Sequence, residues 1–118
     1  FRVRRYLHLL FRLANYHHPS CIVHRGAENL ELDYLLAPCR HARVNPDNPD
    51  GKILIFLSAP CEEVISLCNT QTMLLLANVH RYREWWDSLP SVVSFDLYDI
   101  GIAFFDSKYN KQSYVVNF

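Results

Sequence analysis

The sequence predicts an α+β fold, in which an N-terminal helix and a central helical segment pack on a mainly antiparallel sheet that ends in a C-terminal hairpin. Three observations lead to this prediction. Apolar residues recur at helical spacing near the start, a continuous apolar run follows a central loop, and the last third alternates apolar with polar residues. With 118 residues, the chain is expected to be a single globular domain over 1–118.

The first element is predicted to be an amphipathic helix over residues 2–16. Val3, Leu7 and Leu10 recur at helical spacing on one side, while basic residues occupy the other. Pro19 is expected to end the helix, because proline cannot continue the backbone hydrogen bonding.

Three strands and a loop are predicted next. Cys21 to His24 is a short β-like run, and residues 30–34 alternate apolar with acidic side chains, as a half-buried strand does. The stretch from Arg40 to Gly51 is rich in proline, asparagine and aspartate, which favour turns. The apolar run from Lys52 to Leu57 then predicts a buried central strand.

The central helical segment is predicted to start after Ser58, which can serve as an N-cap. Apolar and cysteine side chains recur there at helical spacing, and a second helix is expected to continue to about Trp86. The residues on the shared helical face are Cys61, Val64, Cys68, Leu75 and Val79.

The C-terminal third is predicted to be β-structure. Residues 93–97 and 100–104 both alternate, but their apolar register slips by one near Asp99, which indicates a bulge or a break between two strands. After the polar residues 106–111, the run Tyr114 to Val116 is expected to complete the hairpin.

Charge and cysteine content restrict the function classes. The formal net charge is zero, but the first 27 residues carry five arginines and no acidic residue, whereas the rest carries 12 acidic and seven basic residues. Neutrality argues against a dedicated nucleic-acid-binding protein. No apolar run is long enough to span a bilayer. The chain has four cysteines, no Asn-x-Ser/Thr site and no segment with the pattern of a signal peptide, so we expect an intracellular protein of the cytoplasm or nucleus.

One cluster of residues could bind a metal. Cys21 and His24 form one close pair, and Cys39 and His41 form another. Thiolate and imidazole are the ligands that tetrahedral zinc prefers, although only one residue separates Cys39 from His41. The alternative is that both cysteines are small buried apolar residues. We therefore expect no cofactor, with structural zinc as the alternative.

Cys61 is the candidate nucleophile of a cysteine-dependent enzyme, because a thiolate gains stability at a helix N-terminus. The adjacent Glu62 and Glu63 oppose thiolate formation, which favours a buried and inert cysteine.

The Arg-rich N-terminal helix is the candidate RNA-binding surface. Its arginines could contact phosphate groups, and the alternative is a solvated polar face on a packed helix. The candidate residues are Arg2, Arg4, Arg5 and Arg12.

The segment from Arg81 to Trp86 is the candidate partner-binding surface, because tryptophan, tyrosine and arginine are enriched at the centres of protein interfaces. Adjacent tryptophans on a helix point about 100° apart, so we expect one to stay exposed unless both are wedged between packed layers. The candidate residues are Arg81, Tyr82, Arg83, Trp85 and Trp86.

The sequence contains no complete catalytic or phosphate-binding motif, and its three glycines leave little material for a phosphate-binding loop. We therefore expect a non-enzymatic protein–protein interaction module that binds another protein or itself. The alternatives are an RNA-binding accessory domain and a cysteine-dependent enzyme.

Overall fold

The computed structural model describes residues 2–116 and arranges them as one seven-stranded sheet with helices on both faces. The α-helices are α1 (Arg2–His17), α2 (Asn29–Leu36) and α3 (Arg83–Asp87), and two short 3-10 helices span Glu62–Leu67 and Val79–Arg81. The strands are β1 (Cys21–Arg25), β2 (Arg43–Val44), β3 (Ile53–Leu57), β4 (Thr72–Ala77), β5 (Val93–Asp96), β6 (Ile100–Phe104) and β7 (Gln112–Val115). The α+β class is therefore confirmed.

The sheet has the strand order β2-β1-β3-β4-β6-β5-β7. Strand β6 is antiparallel to both of its neighbours, β4 and β5, and the other pairings are parallel. The sheet is thus mixed rather than mainly antiparallel as predicted. Helical turns follow β1, β3 and β4. These segments bring the chain back to the end of the sheet at which the parallel strands begin.

The N-terminal helix, the strand at Cys21, the buried strand β3 and the strands β5 and β6 are all found where the sequence predicts them. Strands β5 and β6 form an antiparallel hairpin. The register slip near Asp99 is the turn of this hairpin, in which the amide of Leu97 donates to the carbonyl of Ile100 at 3.0 Å. Strand β7 follows the hairpin but pairs with β5 in parallel, so the run Tyr114 to Val116 does not complete an antiparallel hairpin as predicted.

Residues 30–34, predicted to be a strand, belong to helix α2. The helix begins with a capping box, in which the side chain of Glu28 accepts from the backbone of Glu31 and the side chain of Glu31 accepts from the backbone of Glu28. These two bonds satisfy amides that have no partner within the helix, and this local signal outweighs the alternation of apolar residues.

The predicted central helix is interrupted by β4. All six residues of Thr72–Ala77 are buried, since β4 lies between β3 and β6 and is covered on both faces. A strand with two covered faces is apolar throughout, so it lacks the alternation that would separate it from a helix.

Alternate residues of the strands point to opposite faces and build two cores. On the front face, α1 and α2 cover a core that contains Leu10, Leu35 and Phe56. On the back face, the 3-10 helices and α3 cover a core that contains Leu74 and Trp86. The four residues of β7 are all exposed.

Candidate functional site

Within residues 2–116, β7 has a neighbouring strand on one side only, and its four residues are all exposed. The backbone of Gln112 donates to Val92 and that of Val116 donates to Asp96, so alternate residues of β7 face β5. The residues between them, Ser113 and Val115, therefore direct their N–H and C=O groups away from the sheet. Val115 is 81% exposed and Tyr114 44%. A sheet edge of this kind is a ready template for another strand.

A groove of about 830 Å³ lies beside this edge. Aromatic side chains from five different segments line part of it, and most of the other lining residues are polar, among them His17, Lys52, Asp106 and Gln112. The aromatic residues are Tyr16, Phe95, Phe104, Tyr109 and Tyr114. Concave, largely apolar surfaces with a few polar groups are typical of binding sites.

Tyr114 connects the groove with the edge. Its ring stacks on Phe95 of the neighbouring strand, with centroids 5.2 Å apart and an interplanar angle of 17°. Its hydroxyl donates to the side-chain oxygen of Gln112, two residues earlier on the same side of β7. The ring is thus held in place before any partner binds.

His17 forms the inner wall of the groove at the end of α1. Its side chain is buried, and Nε2 donates to the carbonyl oxygen of Ile53 at 3.0 Å. Burial, followed by the positive charge of Lys52, lowers the pKa of His17 below its ordinary value. The imidazole is therefore neutral near pH 7, and it presents a hydrogen-bonding group without a charge.

A second polar cluster lies at the opposite end of the sheet, where β4 and β5 end. Arg83 donates to both oxygens of Asp96, at 2.7 and 3.3 Å, and Asp96 also accepts from the backbone of Tyr98 at 2.9 Å. Burial alone would raise the pKa of Asp96, but the hydrogen bonds from Arg83 and Tyr98 outweigh it and lower this pKa. The carboxylate is therefore ionised.

The ring of His80 completes this cluster. It stacks on Tyr98 with centroids 4.0 Å apart, and its Nδ1 donates to the carbonyl oxygen of Tyr98 at 2.7 Å. Tyr98 has a φ of 69° and Asn78, at the end of β4, a φ of 55°. Left-handed backbone at non-glycine residues is costly and is found where surrounding contacts enforce it.

The candidate partner-binding segment, Arg81 to Trp86, includes Arg83 of this polar cluster and is partly exposed. Trp86 is only 4% exposed and belongs to the back core, so it is not accessible to a partner. Trp85 is half-buried, and its indole N–H donates to Glu62 at 2.7 Å. Arg81 and Arg83 are exposed, and Tyr82 is half-buried. The partner-binding role of the segment stays a prediction.

The four candidate zinc ligands do not converge. Cys21 lies in the back core and Cys39 in the front core, so the sheet separates the two thiols. Cys39 donates to the carbonyl of Leu35, and burial raises its pKa. Within residues 2–116, no three side chains of His, Cys, Asp or Glu are grouped as metal ligands would be. His24 and His41 therefore have no common site with the two cysteines.

Cys61 is half-buried after β3 and precedes the first 3-10 helix instead of a full α-helix. Cys68 packs beside the back core, and burial raises its pKa to about 11, so this thiol is protonated at neutral pH. The nucleophilic role of Cys61 stays a prediction.

The Arg-rich surface is solvent-facing as predicted for the polar side of α1, with Arg4, Arg5 and Arg12 exposed. The side chain of Arg2 lies outside the described residues. Further along the helix, His8 approaches the ring of Tyr34 in α2. The RNA-binding role of these arginines stays a prediction.

Sequence reasoning did not find the groove, because its aromatic residues come from segments that are far apart in the chain. One signal was present. The run Tyr114 to Val116 is apolar and contains neither lysine nor proline, the residues that usually protect an edge strand.

These features define a class of protein: a small α+β domain with a mixed sheet, an exposed edge strand β7 and an adjacent groove with aromatic residues. Comparison with known proteins does not narrow this class, since no protein-family model, no curated protein and no solved structure matches the chain. No helix in the described part of the chain has both the length and the apolar composition needed to cross a membrane.

Proposed function

We propose that this chain is a non-enzymatic protein–protein interaction module that binds an extended segment of a partner along β7. The observation that carries the proposal is the open edge, where every residue of β7 is exposed and Ser113 and Val115 have outward backbone groups. An added strand would gain backbone hydrogen bonds there, which provide affinity with little dependence on sequence.

The groove beside the edge would provide specificity. Side chains of an extended segment alternate between two sides, so every second residue of the partner would face the front of the sheet. Tyr114 lines the groove and belongs to β7, which brings those residues next to the aromatic surface. We therefore expect a partner segment with apolar or aromatic residues at alternate positions and no proline between them.

We also propose an intracellular location for the module. Cys21, Cys39, Cys61 and Cys68 are all free thiols. Reduced cysteines are typical of the cytoplasm and nucleus, whereas secreted domains of this size usually form disulfides.

A displayed library of short random peptides tests the function. Peptides selected on the immobilised chain are expected to show the alternating pattern, and their affinity is measured by fluorescence anisotropy. Val115→Pro removes one outward N–H and leaves the bonds to β5 intact, as edge strands permit. Val115→Thr is the matched control, because it keeps the β-branched shape and the N–H group.

We expect Val115→Pro to weaken peptide binding at least about tenfold, which corresponds to roughly one lost hydrogen bond and its desolvation, and Val115→Thr to leave it unchanged. Selected peptides that bind both variants equally would place the contact elsewhere. Arg81→Glu then decides whether the contact lies on the surface around Arg81 and Trp85.

Two other functions have weaker support. RNA binding is favoured by the exposed arginines of α1, and a steep loss of RNA affinity with rising salt would support it. A cysteine-dependent enzyme is favoured by the position of Cys61 after a central strand, and fast selective alkylation of Cys61 at neutral pH would support it.

A further inference from the structure

The unpaired side of β7 is complementary to itself. Two copies that run antiparallel with Tyr114 at the symmetry axis place Ser113 of each opposite Val115 of the other. Both residues direct their N–H and C=O groups outward, so each of these two pairs can exchange two backbone hydrogen bonds. Both outward residues of the strand are used in this register.

We propose that the partner recognised at this edge is a second copy of the chain, and that two β7 strands join two sheets into one continuous sheet. This inference rests on the proposed function, because it names the occupant of the same edge. The dimer is symmetric, with the same patch used by both copies, as in most homodimers.

The side chains at the axis favour this arrangement. Tyr114 would face Tyr114 of the second copy in a pair without backbone hydrogen bonds, where side chains approach most closely. Each tyrosine ring already stacks on its own Phe95. The dimer would therefore carry a row of four aromatic rings across its front face, and this row would join the two grooves that the rings line.

The charge distribution permits self-association at this edge. Residues 112–116 contain no charged side chain, and the nearest charged residue in the sequence is Lys111, which directly precedes β7. In the proposed register the two Lys111 residues lie about 20 Å apart, at ~3.4 Å per residue. This separation exceeds two Debye lengths of about 8 Å at physiological salt, so their repulsion is largely screened.

The opposite edge of the sheet does not offer an equivalent strand. Strand β2 has only two residues, and Arg43 in it forms an ion pair with Asp50 at 2.6 Å. Short and charged edge strands resist pairing with other chains. Pairing of two copies is therefore expected through β7 on both.

Sedimentation equilibrium over a concentration series up to about 1 mM tests the dimer. The chain is expected to show a monomer–dimer equilibrium in this range. Val115→Pro removes an N–H from both copies, so its dissociation constant should rise at least about tenfold, whereas that of Val115→Thr should not change. Far-UV circular dichroism establishes that both variants are folded.

Cysteine cross-linking tests the register. Tyr114→Cys places two thiols opposite each other at the axis, where neighbouring strands bring side chains close enough for a disulfide. Under mild oxidation this variant should form a covalent dimer. Val116→Cys is the matched control, because residue 116 faces residue 112 of the second copy, and neither it nor the unmodified chain should cross-link.

The outcomes separate this inference from the function on which it rests. A chain that stays monomeric over the whole series, or a dimer that is insensitive to Val115→Pro, overturns self-pairing at β7. If such a chain still binds selected peptides through Val115, the interaction function stands and its occupant is another protein. If the chain neither dimerises nor binds selected peptides through Val115, both proposals fail.

Discussion

Gly101 in β6 lies against the indole ring of Trp86. A methyl group at this position would lie 2.8 Å from Cζ2 of Trp86 and 3.0 Å from Cγ2 of Val79. Both neighbours are buried in the back core and have little room to move. We therefore expect Gly101→Ala to lower the free energy of unfolding by about 1–3 kcal/mol, measured by urea denaturation.

The same substitution in a Trp86→Phe background identifies the cause. Phenylalanine lacks the outer indole ring, so the added methyl would meet only Val79. The cost of Gly101→Ala should be smaller in this background, and a double-mutant cycle measures the difference. Equal costs in both backgrounds would show that the indole is not the obstacle.

The Arg83–Asp96 pair predicts a pH dependence. Because the pKa of Asp96 is lowered in the folded chain, its stabilising contribution is present above the unfolded pKa, near 3.8, and is lost as pH falls through the folded value. Asp96→Asn should therefore be less stable than the unmodified chain at neutral pH, and the difference should shrink below about pH 4. Thermal unfolding at several pH values measures it.

Arg83→Lys is the control for the geometry of this pair. Lysine keeps the charge but cannot donate to both carboxylate oxygens in the planar arrangement of arginine. We expect an intermediate stability at neutral pH. A variant as stable as the unmodified chain would show that charge alone is sufficient.

At the level of elements, His17 holds the end of α1 against β3 through the carbonyl of Ile53. Its pKa is lowered in the folded chain, so below the unfolded value of 6.5 the unfolded chain takes up a proton that the folded chain resists. Stability should therefore fall as the pH decreases from about 6.5. His17→Asn should remove part of this slope, measured by denaturation between pH 7 and pH 5.

His18 offers a matched control, because it follows directly but is exposed. Its φ of 49° is a backbone conformation that asparagine tolerates. His18→Asn should keep the slope of the unmodified chain. An identical slope for His17→Asn would mean that other histidines cause the acid sensitivity.

Elements whose two sides differ in composition could be predicted from the sequence better than elements that alternate misleadingly or not at all. Helix α1 exposes one side to solvent, and β5 and β6 alternate large apolar residues with small or polar ones, so their periods are visible in the sequence. Strand β4 is buried throughout and shares residues with an apparent helical face. Helix α2 alternates over residues 30–34 like a strand, and only the capping pair Glu28 and Glu31 indicates its start.

At the level of the whole molecule, the sheet is expected to be unevenly stable. Strands β3 and β4 are buried and have neighbours on both sides, while β7 is exposed and has one neighbour. Hydrogen exchange at low protein concentration should therefore show the slowest amides in β3 and β4 and the fastest strand amides in β7. Protection of β7 equal to that of β4 would contradict this order.

The candidate site could be predicted only in part for a related reason. The exposed arginines and aromatics were visible as residue types, but their assembly depends on which strands become neighbours. Phe95 and Tyr114 are far apart in the chain. They meet because β7 pairs with β5. Trp86 was a candidate contact residue because it is a tryptophan. In the structure it packs in the back core against Gly101.

Because β7 lies at the edge of the sheet, the residues proposed to bind a partner differ from the residues that form the two cores. No residue of this strand belongs to the front or the back core, so its sequence can diverge with little effect on the stability of the scaffold. A scaffold of this kind could exchange one binding specificity for another through changes in a few consecutive residues.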